Sequence, residues 1–138
     1  RKHLRQVTAD CAAFPFLGEN ISVHGMRGYE IHMGETVFTE EVHRPFRIVA
    51  AGGAPADAVD GALSADGLVA GTYIHGIFDD DDFRRSLLNR LRVQRGWSEI
   101  PVQYRYREEK ERAYDRLAET VRASLDMEKL QAILEGDR

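Results

Sequence analysis

The 138 residues suffice for one domain or a large piece of one, and they can bury a core. A content of 43% apolar and 30% charged residues excludes a disordered chain, and the net charge of −4 gives no overall attraction to nucleic acid or anionic lipid. One cysteine, Cys11, excludes an internal disulfide framework, and no apolar run approaches the roughly 20 residues that span a bilayer, so a cytoplasmic setting without membrane contact is expected.

Four segments read as strands in chain order: Leu4 to Thr8, Met26 to Met33, Phe46 to Ala50, and Leu68 to Ile74. The first begins close to Arg1 without an initiator Met, so a longer parent protein is expected. The last is almost continuously apolar, the pattern of a strand covered on both faces of an α/β sheet. Ala51 to Ala56 and Ala65 to Gly67 carry turn chemistry, the second flanked by Ala62, Leu63, Leu68 and Val69 as in a hairpin. From Asp81 to Arg95 the residues Phe83, Leu87, Leu88 and Leu91 recur at helical spacing, with aspartates at the start and Gly96 in the C-terminal capping position. A second helix is expected from Arg107 to Leu125, with an apolar stripe of Tyr114, Leu117, Val121 and Leu125. Asp126 can cap a third, short helix through Leu134 that ends near Gly136. The organisation is therefore a sheet-rich part over residues 1–97 and a helical extension over 98–138.

Two stretches could carry chemistry. In G-T-Y-I-H-G-I-F, Gly71 to Phe78, a strand ends in His75 just before a helix, where α/β folds place ligands. An imidazole there is suited to proton transfer, although a satisfied core histidine at a tight turn fits the same pattern. In G-Y-E-I-H-M-G, Gly28 to Gly34, alternation puts Tyr29, Ile31 and Met33 on one face and Glu30 and His32 on the other. Glu30 and His32 could hold a ligand or form a solvent-facing pair, and a single such pair is too few ligands for zinc. Asp79 to Asp82 could attract a divalent cation but reads better as helix capping. The arginines from Arg84 to Arg116, with Tyr104, Tyr106 and Tyr114, could neutralise RNA; the interleaved Glu108, Glu109, Glu111 and Asp115 point instead to a salt-linked helix face.

The stretches G-Y-E-I-H-M-G-E-T (Gly28 to Thr36) and G-T-Y-I-H-G-I-F, followed by Arg84, Leu88 and Asn89, resemble the cobyric acid synthase family. Leu4 to Thr8 (L-R-Q-V-T) and Lys110 to Arg122 extend the resemblance over nearly the whole chain. It implies an α/β fold, the C-terminal portion of a flavodoxin-like class I glutamine amidotransferase domain, with strands followed by C-terminal helices. It also implies glutamine as a substrate and a corrin ring, bound through an N-terminal domain, as the acceptor. ATP and magnesium would belong to that upstream domain, since no phosphate-binding glycine loop occurs here. In such enzymes a histidine activates a cysteine that attacks the amide of glutamine; His75 matches that histidine, and Tyr29, Glu30 and His32 are candidates for the wall of the glutamine pocket. An alternative role for Glu30 and His32 is to orient His75 or to line the ammonia exit. Related glutaminases place a glutamate two residues beyond the histidine, and here that position is Ile77. Cys11 has no glycine elbow and follows Asp10, so the nucleophile is expected upstream of Arg1 and the 138 residues alone are expected to be inactive. A related glutaminase acting on cobyrinate or a cell-wall lipid precursor, and a non-catalytic interaction module, are the alternatives. Self-association through an unpaired sheet edge is also anticipated.

Overall fold

The computed structural model describes residues 3–136 and divides the chain into two compact units, Arg1–Tyr104 and Arg105–Arg138. The first unit is built on two long strands, β1 (His3–Phe16) and β2 (Glu19–His32). They pair antiparallel through a tight turn in which Leu17 and Gly18 have φ of 54° and 85°, the backbone sense that matches the twist of a hairpin. Strand β3 (Phe46–Ala51) adds to the other edge of β1, and β4 (Ala54–Asp60) folds back on β3. A small corner, β5 (Ala62–Leu63) with β6 (Ala70–Gly71), leads to β7 (Ile74–His75), which joins the free edge of β2. The main sheet thus has the order β4-β3-β1-β2-β7, and every pairing in it is antiparallel.

One face of this sheet is the core. Val7, Ala9 and Cys11 of β1, Ile21 and Met26 of β2, Phe46 and Ile48 of β3, and Ile74 of β7 are buried there. Helix α1 (Asp81–Gln94) closes that face by inserting Phe83, whose ring meets Phe14 edge-on at 5.8 Å and Phe46 at 6.0 Å. Burying such a ring contributes about 2–3 kcal/mol. The start of α1 is set by Asp80, whose carboxylate accepts the Phe83 N–H at 2.9 Å, and Gly96 follows its end with φ of 73°. Asn89 then ties the returning chain down by exchanging two hydrogen bonds with the backbone of Ile100, at 2.9 and 3.1 Å.

The second unit consists of α2 (Tyr106–Ser124) and α3 (Met127–Glu135). Asp126 caps α3 by accepting the Lys129 N–H, and Gly136 ends it with φ of 83°. Arg112 pairs with Glu109 at 2.6 Å and with Glu108 at 3.8 Å, the salt-linked face expected from the charge pattern.

The three helices fall within a residue or two of their expected spans. The strand reading needs correction at Leu68 to Ile74, which is not one buried strand of a parallel sheet. Leu68 and Val69 are 57% and 70% exposed, and the segment is split between β6 and β7. The cause is side-chain capture of the backbone. Asp66 accepts the Leu68 N–H and the Ser64 hydroxyl, which hold its carboxyl below the usual range, and Asp60 takes hold of Thr72 and Tyr73. The turn chemistry of Ala51 to Ala56 also contracts to Gly52 and Gly53, with Ala54 already in β4.

Candidate active site at the edge of β2 and β7

Strand β7 is short, and its position depends on two close contacts. Gly28 of β2 is where it approaches: a Cβ at Gly28 would lie 2.5 Å from the His75 carbonyl oxygen and 2.6 Å from Ile74 Cγ2. Asp60, itself buried, accepts the Thr72 hydroxyl and, at 3.1 Å, the Tyr73 N–H, while the Thr72 oxygen accepts the Ile74 N–H at 3.0 Å. Sequence reasoning missed Asp60, because an Asp-Gly pair reads as an ordinary turn. Beyond β7, Gly76 adopts φ of 79°, a left-handed conformation that favours glycine, and turns the chain into a single 3-10 turn, Ile77–Asp79.

Within β7 the side chains alternate. Ile74, paired with Glu30, points into the core; His75, paired with Tyr29, points to the opposite face and is exposed. The His75 ring stacks on Tyr29 with centroids 5.0 Å apart and planes 10° from parallel. The histidine is therefore not a satisfied core residue but a solvent-facing imidazole with one face steadied by a phenol ring. Ile77 is half-buried against the core, so the position two residues on supplies packing and no carboxylate.

Glu30 and His32 lie on the other face. Glu30 is 6% exposed and accepts from Arg5 Nε at 2.6 Å, with His32 Nε2 3.6 Å from its second oxygen. His32 Nδ1 lies 3.0 Å from the Gly34 carbonyl, a contact that requires the proton on Nδ1, and its ring stacks on Tyr73 at 4.2 Å. Of the candidate residues, the structure thus brings Tyr29 to His75 and places Glu30 with His32 across the sheet. The second pair lines a cavity of about 550 Å³ together with Arg44, Asp60, Thr72 and Tyr73.

Cys11 is fully buried, with its sulfur 3.7 Å from the Ile21 carbonyl oxygen, and loss of solvation pushes its thiol up to about 11. It has neither the access nor the thiolate character of a nucleophile. Asp80 of the aspartate run is spent on the α1 cap and Asp81 on Arg84. Among the described residues no three His, Cys, Asp or Glu side chains gather to hold a metal ion, and no helix is long and apolar enough to cross a membrane. The paired glycines Gly52 and Gly53 turn β3 into β4 with positive φ. An exposed imidazole at this edge is suited to proton transfer.

Residues 1–83 match the family model of the CobB/CobQ-like glutamine amidotransferase domain. Cobyric acid synthase from Dehalococcoides mccartyi is 49% identical over 113 residues, and cobyric acid synthase from Salmonella agona is 43% identical over 110. Each alignment covers 80% of this chain but only 22% and 21% of the relative, so the chain spans about a fifth of the length of these curated relatives. No solved structure matches. The family match covers more than half of the residues and includes both β2 and His75, and the chain belongs to the CobB/CobQ-like glutamine amidotransferase family.

Proposed function

We propose that this chain supplies the histidine of a glutamine-hydrolysing site whose cysteine lies elsewhere in a longer cobyric acid synthase. The observation that carries this reading is the exposed His75 ring, steadied on Tyr29 at the edge of the sheet, while the thiol of Cys11 is sealed in the core. His75 accepts the proton of the incoming thiol; the thiolate attacks the side-chain amide carbon of glutamine, the C–N bond breaks, and the proton leaves with ammonia. Water then hydrolyses the thioester to release glutamate. The ammonia amidates peripheral carboxylates of a corrin, cobyrinic acid a,c-diamide, activated by ATP and magnesium in residues outside this chain. The surrounding domain is flavodoxin-like and the setting cytoplasmic. Strand β7, one of the two edge strands of the main sheet, is where further residues of the domain, or a second copy of the 138 residues alone, would pair.

The test uses the full-length protein. His75→Ala should abolish glutamine-dependent amidation by a factor of about 100 or more while leaving amidation with free ammonia intact. The 138-residue chain alone should release no ammonia from glutamine. Retention of glutamine-dependent activity in the His75 variant would refute the reading.

A further inference from the structure

Strand β7 carries His75 but is only two residues long. Two register pairs, Tyr29 with His75 and Glu30 with Ile74, hold it to β2 at an edge of the main sheet. So short a ladder leaves the direction of its side chains to the way Tyr73 delivers the chain into it. Tyr73 is held by its backbone and by its ring. Asp60 accepts its N–H at 3.1 Å. Its ring lies on that of His32, with centroids 4.2 Å apart and planes 22° from parallel, and its hydroxyl is hydrogen-bonded to Thr36. His32 is itself fixed, by the contact of Nδ1 with the Gly34 carbonyl at 3.0 Å and by Glu30, whose carboxylate lies 3.6 Å from Nε2 and accepts from Arg5 Nε at 2.6 Å. Burying the Glu30 carboxylate costs solvation that its ion pair offsets only in part, so the network contributes geometry more than stability.

We infer that His32 is a positioning residue for His75, acting through its ring contact with Tyr73. The inference rests on the glutaminase reading of His75 and adds a route by which the opposite face of the sheet controls that imidazole. Glu30 and His32 lie across the sheet from His75, so they act on it through the chain and not by touching a substrate beside it. The route is short: Arg5 fixes Glu30, Glu30 aligns the His32 ring, and that ring sets the plane of Tyr73, two residues before His75. Without the stack, Tyr73 keeps its bond to Asp60 and the hydroxyl contact to the exposed Thr36, but its ring loses the surface it lies on. A twist of the backbone there moves the imidazole away from the thiol it serves without changing what holds glutamine.

The experiment measures steady-state kinetics of the full-length protein with glutamine and, separately, with free ammonia. His32→Ala should lower kcat with glutamine by about tenfold or more, with KM for glutamine within about twofold of the parent. Amidation with ammonia should stay at the parent level, as a control for the rest of the protein. His32→Phe, which keeps a flat ring against Tyr73, should restore most of the lost rate. Tyr73→Ala should match His32→Ala, and the double variant should be no slower than either single, because both remove the same contact. A rise in KM at constant kcat would make His32 a wall of the glutamine pocket and overturn the inference. Additive losses in the double variant, or a His32→Phe variant as slow as His32→Ala, would break the link through Tyr73 and overturn it as well. Parent rates in His32→Ala, with His75→Ala inactive toward glutamine, overturn the positioning role alone and leave the glutaminase reading standing. Glutamine-dependent activity in His75→Ala overturns both.

Discussion

The rings of Tyr29 and His75 face each other across the β2–β7 ladder, 5.0 Å apart and nearly parallel, at one of the two register pairs that join the last strand to the sheet. A histidine at a strand end would otherwise sample several rotamers. The stack on Tyr29 narrows the orientations open to the ring.

Removing that support should cost rate more than binding. Tyr29→Ala in the full-length protein is expected to lower kcat for glutamine hydrolysis about 10- to 100-fold with little change in KM, the scale of a misplaced catalytic group. Tyr29→Phe, which keeps the ring, should stay close to the parent. Equal losses in both variants would mean that the hydroxyl, not the stack, matters.

Gly28 sets the distance between β2 and β7. Gly28→Ala places a Cβ 2.5 Å from the His75 carbonyl oxygen, so the short strand must shift outward. The expected loss is about 1–3 kcal/mol in urea unfolding, with the largest amide-shift changes at Ile74 and His75. A variant as stable as the parent, with β7 unmoved, would contradict the geometry.

Asp60 acts on His75 only through the turn it holds. Asp60→Ala leaves the Thr72 hydroxyl and the Tyr73 N–H without their acceptor and is expected to cost about 1–3 kcal/mol. Glutamine-dependent activity should fall with it while ammonia-dependent activity remains. Asp60→Asn, which keeps an acceptor oxygen, should recover part of both stability and rate, and no recovery would argue against the hydrogen-bonding role.

Burial of Cys11 makes a pH-dependent contribution of definite sign. Its folded value, about 11, lies above the ordinary value of 9.0, so the native state holds the thiol proton more tightly than the unfolded chain does. The resulting stability is fully present below pH 9 and is lost as pH rises toward 11. Unfolding monitored across that interval should show the decline, and Cys11→Ala should flatten it. Native protein at pH 8 should resist iodoacetamide, and denatured protein should react.

Much of the helical architecture was legible because it is local. Asp80 and Asp126 cap helices by accepting an N–H three residues on, and Gly96 and Gly136 end them with positive φ. The alternation of Gly28 to Gly34 likewise separated Tyr29 from Glu30 and His32, because side chains on any strand change face at each residue. The strand Leu68 to Ile74 was misread for the opposite reason. Its apolar run says nothing of Asp60, which lies 12 residues before Thr72 and binds it across a turn.

The sequence alone determined that His75 ends a strand, that its neighbours resemble a family motif, and that Cys11 lacks the setting of a nucleophile. It determined which residues share a face but not which face is covered. Only the tertiary structure decided that Tyr29 and His75 stand on the open side while Glu30 is buried against Arg5 on the other, because burial depends on which distant segments pack against a sheet. The histidine's identity is written in its neighbours along the chain. Its orientation comes from a glycine, a tyrosine and an aspartate that folding brings to the same edge.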